Sequence, residues 1–92
     1  MSDETVRRRA TVTGTVQGVN YRSWVEDEAG ARGLAGWVRN AEDGSVEAVF
    51  EGEGGAVAEM VEQLEAGPAG ADVEDVDAVE EDPEGLSGFE TR

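Results

Sequence analysis

Arg22 and Asn40 are the two side chains whose type and setting suit chemistry on an anion. Arg22 ends the stretch GTVQGVNYR, which leads from a strand-like alternation into a helix-like repeat. A strand, a glycine-bearing loop and a helix start aim several backbone N–H groups at one point, together with about half a positive charge from the helix dipole. Gly18 lets the main chain approach a ligand with no Cβ in the way, and the planar guanidinium of Arg22 can grip two phosphate or carboxylate oxygens together. The pattern is not a nucleotide P-loop: three residues separate Gly14 from Gly18, and the lysine with its following hydroxyl is missing. Taken alone, the loop is also what a structural turn before a helix looks like. Asn40 is open to two readings. Either its amide orients a water beside the anion cradle, or it closes the following turn with its own side chain.

Those residues need elements to hold them. Met1 to Val6 reads as a frayed, flexible start, and residues 7–92 as one domain. From Arg7 the set Arg8, Ala10, Val12 and Gly14 alternates with Arg7, Arg9, Thr11 and Thr13 as in a strand, the first set facing a core. Tyr21, Trp24, Val25 and Ala29 fall at helical spacing, and Gly33 stops that helix. Ala35 to Ala41 and Ser45 to Gly52 form a hairpin around Asp43 and Gly44. Val57, Met60, Val61 and Leu64 make a second helical stripe, ended by Gly67 and Pro68. Ala71 to Val79 is either a bulged strand or one that begins late, because Val73 and Val76 have opposite parity. Phe89 adds a short edge strand or plugs the core.

The order strand, helix, strand, strand, helix, strand is that of an α+β, ferredoxin-like two-layer sandwich (βαββαβ), with two helices on one face of an antiparallel sheet. In it the first two strands run the same way with another between them, joined by a right-handed crossover. The loop from Thr15 to Tyr21 then lies beside Asn40. Asn40 shares parity with Gly36 and Val38 and faces the helices; Arg39 faces away and is structural. Trp24 and Trp37 are packing residues.

Composition narrows the chemistry. The 92 residues include no cysteine and no histidine, which excludes disulfides, thiolate nucleophiles, the usual zinc sites and imidazole proton transfer. The net charge is −15, and all seven basic residues are arginine. Such a surface excludes nucleic acid as a partner. It suits either a protein adapted to high salt or simply an acidic soluble one. Arg7, Arg8 and Arg9 read as a solvated edge or as ion-pairing residues. The carboxylates Asp72, Glu74, Asp75 and Asp77 form a solvated face, since a calcium loop starting at Asp72 or Asp75 lacks its sixth-position glycine. No apolar run spans a bilayer and no signal-peptide pattern opens the chain, so no membrane partner and a cytoplasmic location are expected.

VTGTVQGVNYR, followed by GLAGWVRNAEDGSVEA and a GP after the second helix, resembles the acylphosphatase family over nearly the whole chain. The resemblance implies hydrolysis of an acyl phosphate, a carboxylic-phosphoric anhydride, to a carboxylate and inorganic phosphate, without metal or organic cofactor. It maps the phosphoryl-binding arginine to Arg22 and the water-positioning asparagine to Asn40. The phosphate-cradling main chain maps to Val16, Gln17, Gly18, Val19, Asn20 and Tyr21. Partners are then a small acyl phosphate, with inorganic phosphate or other anions as product or inhibitor, and the protein is expected to be a monomer. A non-catalytic module that senses a small anion is the rival: it would keep the cradle without needing Asn40.

Overall fold

Alternating burial along the first strand sets the two layers. In the computed structural model, which describes residues 4–92, β1 (Thr5–Thr15) buries Ala10 and Val12 completely against the helices. The chain continues through α1 (Tyr21–Ala31), β2 (Ala35–Asn40), β3 (Val46–Glu53), α2 (Gly54–Ala66), β4 (Asp72–Glu81) and β5 (Phe89–Thr91). The strands stand in the order β4-β1-β3-β2-β5. Four of them are antiparallel neighbours. β5 lies parallel to β2, with Gly36 opposite Phe89 and Val38 opposite Thr91, so the edge strand offered by Phe89 makes the sheet mixed rather than wholly antiparallel.

β1 begins at Thr5, two residues earlier than the alternation suggested, and Val6 already pairs with Gly52. Of the expected flexible start, Thr5 and Val6 thus belong to the strand, while Met1 to Asp3 lie outside the described residues. The core joins Ala10, Val12, Val38, Val46, Ala48 and Phe50 of the sheet to Val25, Ala29, Val57, Met60 and Leu64 of the helices. Val61 is only half-buried at the rim of its stripe. Phe89 does both things proposed for it: it forms β5 and stacks on Phe50, with ring centroids 5.6 Å apart.

The parity change in β4 is a bulge. Register passes from Thr13 opposite Asp75 to Gly14 opposite Val73, which leaves Glu74 as the extra residue and lets Val73 and Val76 both pack on the core. Gly14 is required there: its φ is 123°, and a Cβ would come within 2.2 Å of the Asp72 carbonyl oxygen.

The other sheet face is ionic. β1 is an interior strand, so its arginines are not at an edge. Arg7 is buried, with Nη1 donating to Glu51 at 2.7 Å and Nε to Glu81 at 2.9 Å; Arg9 bridges Glu47 and Glu81, each at 2.8 Å. Arg8, on the helix face, donates to the Ala78 carbonyl at 3.2 Å. Glu51 also accepts from the backbone N–H groups of Glu84, Gly85 and Leu86 at 2.9, 3.1 and 3.0 Å. Its burial favours the neutral acid, but these three amides and Arg7 outweigh that and hold the carboxyl below its ordinary range. Trp37 lies beneath the guanidiniums of Arg92, Arg9 and Arg39, at 4.8, 5.6 and 6.0 Å from its ring centroid.

Candidate active site

β1 and β2 are both antiparallel to β3 and so run in the same direction. Their carboxyl ends meet at one end of the sheet, where the crossover into α1 begins. A cavity of about 330 Å³ opens there, lined by Val16, Gly18, Asn20, Tyr21, Arg22, Ser23, Glu26, Asn40 and Thr91. The topology thus brings Arg22 and Asn40 to one pocket, as the spacing of elements requires.

The loop is fixed from below. Val16 and Tyr21 are buried, and the Tyr21 hydroxyl donates to the Leu64 carbonyl at 2.8 Å. Burial pushes the Tyr21 phenol up, so it stays a neutral structural donor and only its main chain is free to serve the cradle. Gln17 turns away from the pocket: its Nε2 donates to the carbonyls of Ala41 and Ser45, both at 2.9 Å, which ties the loop to the β2–β3 turn. Val19 packs against the core and does not line the pocket. Of the six loop positions, the pocket is therefore lined by Val16, Gly18, Asn20 and Tyr21.

Gly18 and Asn20 give the loop its shape. Both have left-handed backbones, with φ of 76° and 63°. An added Cβ at Gly18 would meet no protein atom within 4 Å, so the glycine is needed for conformation and for the space in front of it. Asn20 is the N-cap of α1, yet its side chain makes no capping bond. The contrast with α2 is informative. There the Glu53 carboxylate caps the helix by accepting from the Ala56 N–H at 3.0 Å. At α1 no side chain caps the first turn, which leaves its amide hydrogens for a ligand.

Charge follows the same logic. The first turn of α1 holds no acidic residue but does hold Arg22, the reverse of what helix stability favours. Helix dipole and guanidinium combine into a local positive site on a strongly negative protein. Among the described residues Arg22 pairs with no Asp or Glu side chain; its Nη1 donates to the Arg92 main-chain oxygen at 2.8 Å.

Asn40 lies at the end of β2, and its Oδ1 is buried with no hydrogen-bond partner. The turn beyond it is closed by other groups: Asp43 Oδ1 accepts from the Ser45 N–H at 3.0 Å and from its hydroxyl at 2.6 Å. The turn-closing reading of Asn40 is thereby removed. A buried acceptor left open costs roughly 1–3 kcal/mol, and Asn40 is one of the residues lining the pocket that also holds the positive site.

The sequence profile described as Acylphosphatase matches residues 8–91. The chain belongs to the acylphosphatase family. It is 52% identical to the acylphosphatase of the halophilic archaeon Natronomonas pharaonis over 92 residues, covering all of this chain and 99% of the relative. With the acylphosphatase of Haloquadratum walsbyi, another halophilic archaeon, it shares 48% identity over the same coverage. The solved structure of an acylphosphatase from Coxiella burnetii superposes with a TM-score of 0.93 at 38% identity, covering 96% of this chain and 93% of that one. The chain is thus an enzyme of the acylphosphatase type, which sets aside the non-catalytic module.

Ser23, Glu26 and Thr91 also line this acylphosphatase pocket, and sequence reasoning did not single them out. Glu26 could have been found from its position one turn after Arg22. Thr91 reaches the pocket only through the parallel pairing of β5 with β2, which no local pattern encodes.

Proposed function

We propose that Arg22 and the main-chain N–H groups around Gly18 and the start of α1 bind the phosphoryl group of a small acyl phosphate, while Asn40 orients the attacking water. The observation that carries this is that Asn40, whose Oδ1 has no protein partner, and Arg22, which pairs with no Asp or Glu side chain, line one cavity. Water donates one hydrogen to the amide oxygen and turns a lone pair toward phosphorus. The carboxylate leaves, with an acid of pKa about 4 to 5 like a free Asp or Glu side chain, and needs no proton to depart. Charge on the equatorial oxygens is met by the guanidinium and the amide hydrogens, which is most of what a loose phosphoryl-transfer transition state requires. The water's proton passes to an oxygen of the substrate's own phosphoryl group. No histidine is needed at any step.

We read the protein as a functional monomer, and no described helix is long and apolar enough to cross a membrane. We read the cytoplasm as its location and the charge of −15 as an adaptation to high salt. Phosphate release from a synthetic acyl phosphate, with and without chelator, tests the reaction. Release that is unaffected by chelator is expected; stimulation by a divalent ion, or a pH–rate profile governed by a protein carboxylate, would contradict it.

A further inference from the structure

Helix α1 and its C-cap Arg32 carry two opposite-charge pairs at i,i+4 spacing, and they behave differently. Glu28 and Arg32 close theirs at 2.7 Å. Arg22 and Glu26, both lining the pocket, do not pair. Thr91 and Arg92, consecutive residues at the end of β5, take the two groups separately. The Thr91 hydroxyl donates to Glu26 Oε1 at 2.7 Å, and Arg22 Nη1 donates to the Arg92 main-chain oxygen at 2.8 Å. Both residues are anchored to β2, through the register of Thr91 with Val38 and the bond from the Arg92 N–H to the Val38 carbonyl at 2.8 Å.

We propose that Thr91 is a positioning residue for phosphoryl binding: by holding the Glu26 carboxylate it keeps that side chain off Arg22, so the substrate does not have to displace it from the guanidinium. The inference rests on the reading of Arg22 given above. With 22 acidic residues against seven arginines, an arginine that meets no carboxylate side chain although it stands at helix spacing from a glutamate needs a reason, and a neutral hydroxyl on that glutamate is a suitable one. It occupies the carboxylate without supplying a second positive charge that would compete for the anion.

The test is the inhibition constant of inorganic phosphate, with KM and kcat for a synthetic acyl phosphate. Thr91→Val should raise the phosphate inhibition constant and KM by about two- to threefold, the size of a helical i,i+4 ion pair, with little change in kcat. Thr91→Ser should restore wild-type values. In the Thr91→Val background Glu26→Gln should cancel the defect, whereas in the wild-type background it should improve binding by less than about twofold. The loss in Thr91→Val should also shrink in molar potassium chloride. An unchanged Thr91→Val, or a defect that survives Glu26→Gln, overturns the proposal. Melting curves monitor folding, and Thr91→Ala is the second variant; if neither folds, Thr91 is structural and the proposal falls. Arg22→Lys separates the two failures. If it leaves phosphate binding intact, the reading of Arg22 fails; if it weakens binding while Thr91→Val is silent, only this inference does.

Discussion

Replacing Arg22 by lysine keeps the charge and removes the planar fork, so it isolates geometry from electrostatics. Among the described residues Arg22 makes one hydrogen bond, to the Arg92 main-chain oxygen, and pairs with no Asp or Glu side chain. The substitution therefore removes little that holds the fold. A surface change of this kind lies within about 0.5 kcal/mol, or under about 4 °C in melting temperature for a domain of this size. The site loses more. Two charge-assisted bonds to the phosphoryl oxygens become one, and a bond to a charged group is worth about 1.5–3 kcal/mol. At 1.36 kcal/mol per decade that is about a 10- to 150-fold fall in kcat/KM. Phosphate release from a synthetic acyl phosphate gives the ratio, and a melting curve on the same preparation gives the control. A variant within twofold of wild type refutes the bidentate grip, and a large loss of melting temperature would mean that the arginine is structural.

Three further outcomes are expected. Gly18→Ala should cost about 1–2 kcal/mol, because an L side chain must adopt the left-handed backbone, and should weaken phosphate binding as the loop shifts; an unchanged melting temperature would contradict it. Glu51→Gln should lower stability near neutral pH by roughly 1–3 kcal/mol, since Arg7 and three amides lose their charged acceptor. The folded-state pKa of Glu51 is lowered, so its contribution is complete above the unfolded value, about 4.3 for a free glutamate, and fades as pH falls through the folded one. The gap between wild type and variant should therefore close in acid, and a constant gap in urea melts from pH 7 to 3 would refute that assignment. Finally, activity and stability should be held or raised between about 0.1 and 1 M potassium chloride, where the Debye length falls from about 10 to 3 Å. Repulsion among dispersed carboxylates is then screened, while contacts such as Arg7 to Glu51 at 2.7 Å are not. A steep monotonic loss would argue against adaptation to salt.

Periodicity made most of the fold legible, because burial on one face writes itself into every second or every third and fourth residue. Ala10, Val12, Val57, Met60 and Leu64 are buried as their spacing requires. The topology then forced Arg22 and Asn40 together, although they are distant in sequence. Less was readable where structure depends on partners from other elements. The three amides that surround Glu51 come from a loop with no pattern of its own, and the hydroxyl that meets Glu26 comes from a three-residue strand. Gln17 and Tyr21 lie in the right loop, but their side chains serve neighbouring carbonyls rather than the pocket. Main-chain and side-chain roles at one position cannot be separated from residue type alone.

Asn40→Ala is the most direct probe of the central claim, that a buried amide without a protein partner is kept for the attacking water. Removing an unsatisfied buried acceptor relieves a desolvation cost, so the melting temperature should hold or rise while kcat falls by on the order of 100- to 1,000-fold. Phosphate should inhibit with a constant within about threefold of wild type, since the guanidinium and the amide hydrogens of the loop remain. Equal losses of phosphate binding and turnover, or a variant that is both active and less stable, would contradict the role assigned to Asn40.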